Sequence, residues 1–472
     1  MLKRHIADLV RENFDFTFTG SQEELIPILG EFIANPDQQE LFLIKGYAGT
    51  GKTSLVRSMV KTFDQLNFNY VLLAPTGRAA KVLSGYAERP AYTIHKKIYI
   101  QKSTRDGIGE FVLDRNLHSK TFFIVDEASM ITNQSQDQSL FGSGRVLDDL
   151  IQYVRNDKNC KLILIGDAAQ LPPVGLDMSP ALDVKLLEGM GFKVHEAFLA
   201  DIVRQSKDSG ILHNATYLRN LLDKERIIHP RFNISHFEDI IPLAGGDFLE
   251  ELDQAYQKFG QDGTIVITRS NKRANQFNKG IRNQILWKEE QIAEGDYIMV
   301  VKNNYFWLEE DQPTNFIANG DIAEILQIED YQERYGFRFA DVVLRFPDYN
   351  KLELSCKIIL DSLMIDSASL SQEKNRELYI NILEDYPEIK AKRKQYLTVR
   401  EHPFFNALQV KFAYAVTCHK AQGGQWDVVF LDQGYISEEM INVEYIRWLY
   451  TAFTRATKRL YLVNFNSSYF AE

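Results

Sequence analysis

A glycine-rich segment near the start of the chain has the residue types and spacing of a phosphate-binding loop. Residues 46–53 fit the pattern G-x-x-x-x-G-K-[ST] and follow the apolar run 41–44. In such a loop the glycines let backbone N–H groups approach phosphates, the lysine reaches the β- and γ-phosphates, and the hydroxyl binds Mg²⁺. The segment therefore predicts an ATP and Mg²⁺ site whose nucleotide contacts are Gly46, Gly49, Thr50, Gly51, Lys52, Thr53 and Ser54.

Acidic and amide side chains follow two further apolar runs. Asp126 and Glu127 come directly after residues 121–125, and Gln170 lies in the Pro-containing segment that follows residues 161–165. Beside a phosphate loop, Asp126 joins Thr53 as a predicted Mg²⁺ contact, and Glu127 can polarise the attacking water. Gln170 is placed to sense the γ-phosphate. Alone, these residues also fit a solvated loop and a Pro-stiffened turn.

The elements that must position these residues read as an open parallel α/β sheet. Four short apolar strands are predicted at 41–44, 70–74, 121–125 and 161–165, each with polar residues at its carboxyl end. Residues 97–118 interrupt this alternation of strands and helices. They contain Asp106-Gly107 between two runs of alternating apolar and polar residues, which is a hairpin signal. We predict a small β-rich insert there.

A second α/β region follows, and a β module interrupts it. Residues 264–268 predict a strand, residues 290–365 have a β-like pattern, and a charged helical stretch covers about 370–395. The α/β pattern resumes at Ala413 and continues to the end of the chain. The fold class predicted from these patterns is α/β with two separate α/β regions.

Composition excludes several classes of protein and leaves others open. Among 472 residues, 45% are hydrophobic, and no apolar run reaches the roughly 18 residues of a membrane span. The three cysteines are widely spaced, which suits a reducing cytoplasm and argues against a disulfide framework. The net charge of −10 argues against binding nucleic acid by bulk charge, but a local basic groove remains compatible with it.

The order of these motifs resembles that of superfamily 1 DNA helicases of the RecD/Dda-like branch, and the resemblance extends from Gln22 to Val463. It implies two RecA-like P-loop NTPase domains, ATP hydrolysis and 5′→3′ movement along single-stranded DNA. The first domain would span 1–200 with a strand-separating hairpin at 97–118. The second would comprise 201–288 and 405–472, with an SH3-like β-barrel module and its charged helical segment inserted at 289–404.

The resemblance also implies roles for individual residues. Gln22 matches the adenine-recognition residue, and Arg204 and Arg455 match the two arginines that reach the γ-phosphate and would act with Lys52 in catalysis. Arginine suits this role because its charged planar group stabilises developing phosphate charge. The segments that match DNA-contacting motifs contain Pro75, Thr76, Arg78, His95, Thr417, His419 and Lys420. A single His or Thr at a strand end also fits a purely structural role.

In the hairpin, Tyr99 and Phe111 are candidate wedge aromatics or, alternatively, core residues of a small hairpin. The implied partners are single-stranded DNA, single-/double-strand junctions and proteins of DNA replication, recombination or repair, with the chain acting as a monomer and no membrane involved. Three rival functions remain: an RNA helicase, a motor subunit of a multi-protein repair complex, and a P-loop phosphotransferase. The second α/β region and the arginine motifs argue against the phosphotransferase.

Overall fold

The structure is a computed structural model that describes residues 1–103, 109–134, 142–156, 158–201, 209–222, 224, 227–308, 317–349 and 351–471. These residues form a six-stranded and a five-stranded β-sheet, each in an α/β region, together with a closed β-barrel and a two-stranded hairpin. None of the described helices is long and apolar enough to cross a membrane.

The first sheet has six strands, and all of its neighbouring strands are parallel. Strands that are covered on both faces read as continuous apolar runs, which is why the predicted strand at 121–125 is buried at every residue. In chain order the strands of this half are β1 Glu40–Gly46, β2 Asn69–Ala74, β3 Ala91–Thr93, β4 Tyr99–Ser103, β5 Gly109–Leu113, β6 Thr121–Val125, β7 Lys161–Gly166 and β8 Lys193–Leu199. The sheet order is β3-β2-β6-β7-β1-β8, and β4 pairs with β5 as the predicted hairpin.

Helices cover both faces of this sheet. Because successive side chains of a strand point to opposite faces, Phe42 and Ile44 of β1 join one hydrophobic cluster and Leu41 and Leu43 join another. The helices are α1 Leu2–Glu12, α2 Gly20–Ala34, α3 Lys52–Leu66, α4 Gly77–Ala87, α5 Ile94–Ile98, α6 Val146–Val154 and α7 Val184–Gly189.

The second half begins with α8 Gly210–Leu222, β9 Ile240–Leu243, α9 Phe248–Phe259, β10 Thr264–Thr268 and α10 Asn271–Gln284. A closed barrel follows, formed by β11 Tyr297–Val300, β12 Ile322–Arg334, β13 Phe337–Phe346, β14 Leu352–Ile359 and β15 Leu408–Phe412. Between β14 and β15 lie α11 Gln372–Leu383 and α12 Lys392–Arg400, in the predicted charged helical stretch.

The barrel extends beyond the segment to which the sequence assigned it. β15 pairs with β11 and with β14, and it closes the barrel at residues 408–412. The sequence resemblance predicts residues 408–412 as part of the second α/β domain instead. Every residue of β15 is buried, which is also typical of a central sheet strand. Only its pairing partners, which are distant in sequence, distinguish the two assignments.

The chain then completes the second sheet with β16 Ala415–Thr417, α13 Cys418–Ala421, β17 Trp426–Asp432, α14 Val443–Phe453 and β18 Ala456–Val463. The strand order is β16-β10-β17-β18-β9, and neighbouring strands are parallel. One hydrophobic cluster runs from this sheet into the barrel, for example from Phe430 to Val410. A barrel inserted into a second α/β sheet is therefore the observed architecture.

Candidate nucleotide site and nucleic-acid interface

The phosphate-binding loop joins the end of β1 to the start of α3. Gly49 and Gly51 have φ angles of +75° and +81°, a backbone region that favours glycine. A Cβ at Gly46 would lie 3.0 Å from Thr50 Oγ1 and 3.1 Å from Lys52 Cγ, so the loop folds closely on itself. Backbone N–H groups before a helix N-terminus form an anion-binding site, which is the predicted use of this loop.

Lys52 lies in the first turn of α3, and its ammonium group bridges the loop. Its Nζ donates to the carbonyl oxygens of Gly46 and Tyr47 at 2.7 and 2.8 Å. The same Nζ lies 3.9 Å from a carboxylate oxygen of Asp167, a fully buried residue. The adjacent Thr53 and Ser54 also belong to this first turn. The predicted phosphate and metal contacts are therefore close together.

Gln22, the predicted adenine-recognition residue, binds the phosphate loop itself. Its Nε2 donates to the Thr50 carbonyl at 2.9 Å, and its Oε1 accepts from the Thr19 N–H at 2.9 Å. Only 1% of the residue is exposed. The amide thus fixes the loop against the N-terminus of α2, and its contact with adenine stays a prediction.

The predicted catalytic carboxylates follow β6, which lies beside β7 in the first sheet. Glu127 has a φ of +52°, which is uncommon for a residue with a side chain and typical of functional sites. Its N–H donates to Asp126 Oδ1 at 2.8 Å, and the Tyr86 hydroxyl donates to Asp126 Oδ2. Burial and the neighbouring Asp126 raise the pKa of Tyr86 well above its ordinary value, so the phenol keeps its proton.

Arg455, between α14 and β18, brings the second sheet to this site. Its Nε donates to the Thr451 carbonyl at 3.0 Å, and its Nη1 donates to the Gly424 carbonyl at 3.2 Å. Burial raises the pKa of Glu127, and the positive charge of Arg455 opposes that increase. The structure therefore brings Arg455 within electrostatic reach of a carboxylate in the first sheet, although the two residues are far apart in sequence.

Tyr450 makes the most direct link between the halves, and the sequence did not single it out. Its hydroxyl accepts from the Ala48 N–H of the phosphate loop at 2.7 Å and donates to Asp167 Oδ2 at 2.6 Å. Asp167 also accepts from the Ala169 N–H at 2.9 Å. One phenol on α14 thus holds two loops of the first sheet. No local sequence pattern shows that Tyr450 and Asp167 meet.

The segment after β7 is held by the second half as well. The Leu171 N–H donates to Thr451 Oγ1 at 2.8 Å, and Gln422 Nε2 donates to the Leu171 carbonyl at 2.6 Å. Its neighbour Gln170, the predicted γ-phosphate sensor, is buried, and its Oε1 has no hydrogen-bond partner among the described residues. An unsatisfied buried acceptor at this position is consistent with a polar ligand. The predicted Arg204 lies outside the described residues.

Part of the predicted DNA surface lies around the N-terminus of α4. Pro75 and Thr76 connect β2 to α4, and Thr76 Oγ1 caps the helix by accepting from the Ala79 N–H at 3.2 Å. The Arg78 guanidinium lies 3.8 Å from the centroid of the Trp426 ring, and its Nη2 donates to the Gln425 carbonyl at 3.2 Å. In this conformation Arg78 therefore contacts residues of the second half of the molecule, and its contact with DNA stays a prediction.

His95 lies in the short helix α5, with its ring 5.6 Å from the ring of Tyr99. Burial lowers the pKa of His95 to about 4, so the imidazole is neutral near pH 7. A neutral ring cannot attract a phosphate by charge, but it can stack on a base. The neutral ring of His95 therefore fits stacking on a DNA base better than charge attraction to a phosphate, and the DNA contact itself stays a prediction.

The remaining predicted DNA residues follow β16. Thr417 ends that strand, and His419 and Lys420 lie in α13, where the Lys420 ammonium donates to the Asn319 side chain of the barrel. Burial lowers the pKa of Lys420 to about 8. His419 lines a cleft of about 420 Å³ between the Pro-containing segment after β7 and α14. This cleft runs between the two halves.

The two aromatic residues of the hairpin are both core residues. Tyr99 and Phe111 are each 5% exposed. The Tyr99 hydroxyl donates to Asp149 Oδ2 at 2.6 Å, and the Phe111 ring lies 4.3 Å from the ring of Tyr305. The structure favours the alternative that these are packing residues, and the hairpin thereby contacts the segment that follows β11. The predicted turn at 105–107 lies outside the described residues.

The barrel also contacts α4. The Lys81 ammonium lies 2.6 Å from Asp348 Oδ1. A Cβ at Gly77 would lie 2.7 Å from Asp321 Oδ1 and 2.8 Å from the Tyr349 hydroxyl oxygen, so only glycine fits there without displacement. Burial raises the pKa of Asp321 to about 7. The helix that begins at the predicted DNA surface is therefore braced by the barrel.

Two family models match the chain in the order of its two sheets. Residues 31–221 match an AAA domain, and residues 412–463 match a UvrD-like helicase C-terminal domain. Among curated relatives, an uncharacterized protein of Acanthamoeba polyphaga mimivirus is 22% identical over 94% of this chain and 99% of its own length. The ATP-dependent RecD2 DNA helicase of Deinococcus radiodurans is 22% identical over 94% of this chain.

The chain spans 49% of that RecD2 helicase and 38% of an uncharacterized relative from Methanocaldococcus jannaschii, which is 23% identical. Among solved structures, the Bacteroides Pif1 helicase in complex with ADP-AlF3 and ssDNA has a TM-score of 0.48 and 14% identity. That match covers 97% of this chain and 95% of the other.

A phosphate loop and two carboxylates at the ends of strands in one parallel sheet, with an arginine supplied by a second α/β domain, match the site of a P-loop NTPase built from two RecA-like domains. The UvrD-like match lies on the part of the chain that supplies this arginine. Together with the RecD2 relative, the two family matches show a similarity to superfamily 1 helicases of the RecD-like type.

Proposed function

We propose that the protein moves along single-stranded DNA in the 5′→3′ direction and unwinds duplex DNA at single-/double-strand junctions. The observation that carries this proposal is the contact of Tyr450 with both Ala48 and Asp167. A nucleotide site whose loop is held by the other domain is sensitive to closure of the cleft. Each cycle of ATP binding and hydrolysis would then change the distance between two DNA-gripping domains.

The residues present fit ATP with Mg²⁺. The close-packed glycine loop provides a cradle, and Gln170 has a buried Oε1 without a hydrogen-bond partner among the described residues. Thr53 and Asp126 would hold Mg²⁺, which neutralises phosphate charge when bound. In the described part of the chain, no cluster of three or more His, Cys, Asp or Glu could hold a metal ion. A metal bound here would therefore depend on nucleotide oxygens.

Hydrolysis would divide among the catalytic residues as follows. Lys52 binds the β- and γ-phosphates, and Glu127 accepts a proton from the attacking water. The raised pKa of the Glu127 carboxyl favours proton acceptance, because a more basic carboxylate is a better general base. Gln170 senses the γ-phosphate. Arg455, together with Arg204, stabilises the charge that develops on the transferred group.

DNA would run across the cleft and contact both domains. We propose that Pro75, Thr76, Arg78 and His95 grip the strand from the first domain, and that Thr417, His419 and Lys420 grip it from the second. Such contacts to phosphates and base faces carry no sequence information. The exposure of His419 beside the interdomain cleft supports this path.

We further propose that the first motor domain spans 1–200 and that the second is formed by the segments on either side of the barrel. The barrel would be SH3-like and would brace the hairpin at 97–118 as a strand-separating pin. The contact between Phe111 and Tyr305 supports that brace. The protein would act as a monomer in DNA repair, recombination or replication.

The test of polarity uses two partial duplexes, one with a 5′ and one with a 3′ single-stranded tail. We expect unwinding from the 5′ tail only, and no unwinding with Lys52→Ala. Unwinding from the 3′ tail only would reject the proposed direction. ATP turnover stimulated by single-stranded DNA without unwinding would favour a motor subunit that needs its complex.

An RNA helicase is the second candidate, because the polar groups predicted to contact the strand do not by themselves distinguish ribose from deoxyribose. Comparing the stimulation of ATP hydrolysis by poly(dT) and poly(U) separates the two functions. We expect stronger stimulation by poly(dT), and the reverse order would reject DNA as the preferred substrate.

A further inference from the structure

The hydroxyl of Tyr86 contacts the predicted metal site although Tyr86 belongs to none of the phosphate-site or DNA-contacting motifs. It lies in the last turn of α4 and donates to Asp126 Oδ2. The phenol is therefore in direct contact with one of the two residues that would hold Mg²⁺.

The other end of the same helix lies at the predicted DNA surface. α4 is capped by Thr76 and spans 11 residues, which corresponds to roughly 16 Å at 1.5 Å per residue. Its Ala80 and Leu83 pack in the hydrophobic cluster that also contains Leu55 and Met59 of α3. A short helix packed this closely moves as a rigid unit, since interiors are close-packed.

We propose that Tyr86 is a positioning residue that orients Asp126 for metal binding and couples the nucleotide site to the DNA surface through α4. The coupling to the DNA surface rests on the proposed DNA function, whereas the orientation of Asp126 does not. A displacement of the capped end by a DNA strand is carried to the hydroxyl at the other end. By thermodynamic linkage, metal-dependent nucleotide binding then changes the affinity for DNA by the same factor.

The Tyr86 hydroxyl can be tested separately from the aromatic ring, because substitution by phenylalanine removes only the oxygen. Asp126 Oδ1 already accepts from the Glu127 N–H, so the phenol supplies the second fixed contact of the carboxylate. Without it, the carboxylate gains rotational freedom about its side-chain bonds, and metal binding must restrict that freedom again.

The variant is Tyr86→Phe, and the matched control is Tyr70→Phe. The Tyr70 hydroxyl also donates to an aspartate of the first domain, Asp64, at 2.8 Å, but at the surface. The measurement is binding of a fluorescent non-hydrolysable ATP analogue during a Mg²⁺ titration and in EDTA, each with and without oligo(dT). Thermal unfolding checks that each variant is folded.

We expect the Mg²⁺ midpoint of Tyr86→Phe to rise by roughly tenfold, as for loss of one hydrogen bond to a charged group, with unchanged binding in EDTA. We also expect oligo(dT) to shift this midpoint in wild type and in Tyr70→Phe but not in Tyr86→Phe. An unchanged midpoint in Tyr86→Phe, or a retained oligo(dT) shift, would overturn the proposal.

Two measurements on the wild type separate this proposal from the proposed function. If oligo(dT) stimulates ATP hydrolysis but leaves the Mg²⁺ midpoint unchanged, the coupling is rejected while the helicase assignment stands. If oligo(dT) does neither, the proposed DNA function fails and the coupling fails with it. Because both measurements use unmodified protein, they apply even if Tyr86→Phe does not fold.

Discussion

The two halves of the molecule contribute different chemistry to the candidate nucleotide site. In the first sheet, the loops after β1, β6 and β7 hold the phosphate cradle, two carboxylates and Gln170. In the second half, Tyr450 and Thr451 at the end of α14 bond residues of the first half, and the charge of Arg455, just before β18, acts on Glu127. In the proposed function, one half would therefore bind the nucleotide and the other would complete the site. This division predicts that damage to each half has a different kinetic signature.

Arg455→Ala breaks the contribution of the second half and has the largest expected effect. Turnover should fall by roughly a thousandfold, because an arginine that stabilises phosphoryl-transfer charge contributes about that much to kcat. Nucleotide affinity should change only severalfold, and this pattern is read from ATPase kinetics and nucleotide titration. Arg459→Ala, four residues further along in β18, is the control. An equal loss of affinity and turnover would contradict the division.

Lys52→Ala breaks the cradle of the first half. We expect a loss of roughly a hundredfold or more in ATP turnover, since removing one preorganised donor to a phosphate has that effect. Here nucleotide binding should weaken as well, in contrast to Arg455→Ala. Lys61→Ala, which removes a surface ion pair with Asp15 from the same helix, should leave both quantities unchanged. Tight nucleotide binding by Lys52→Ala would assign the lysine to the transition state alone.

Tyr450→Phe sharpens the comparison by cutting the link between the halves while keeping the ring. We expect a severalfold rise in KM for ATP and a loss of roughly 2–4 kcal/mol in the free energy of unfolding, because the hydroxyl makes two hydrogen bonds to the first half, one of them to a carboxylate. Tyr445→Phe lies on the same helix, and its hydroxyl bonds Tyr469 within the second half at 3.3 Å. If both variants change KM equally, the interdomain contact is not responsible.

Asp321→Asn tests the barrel, where we expect the smallest effect on ATP turnover. Burial raises the pKa of Asp321 from 3.8 to about 7, so the folded state holds this proton more tightly than the unfolded state. Its contribution to stability is therefore present below 3.8 and is lost as the pH rises to about 7. The free energy of unfolding of wild type, relative to Asp321→Asn, should fall across this range in denaturant titrations.

The exposed Asp330 of the same barrel provides the control for that prediction. Asp330→Asn should follow the wild type at every pH. A wild-type advantage over Asp321→Asn that stays constant with pH would show that the buried carboxyl does not change its protonation in this range.

The nucleotide loop could be predicted from the sequence because its residues are contiguous and lie between an apolar strand and a helix. The carboxylates after β6 were predictable for the same local reason. Tyr86 and Tyr450 were not, since they meet Asp126 and Asp167 across 40 and 283 residues. A tyrosine in a helix reads as a packing residue until its hydroxyl partner is known. Residue types therefore predicted the chemistry, and tertiary contacts added the connections.

The barrel illustrates the same limit at the level of the fold. Its strands were predicted as β structure, but the closing strand β15 follows two helices and directly precedes β16. Only pairing with β11 and β14 assigns it to the barrel.

The contact between Lys81 and Asp348 has a mechanical consequence. The barrel is fastened to the second sheet, because Asp296 accepts from the Tyr414 hydroxyl at 2.9 Å and pairs with Arg282 at 2.9 Å, with all three residues buried. A barrel fixed in this way would move with the second domain if the cleft opens as proposed. The salt bridge to α4 would then cross an interface that changes in each cycle. A crosslink between residues 81 and 348 is therefore expected to hold the cleft in one state and to stop ATP-driven movement.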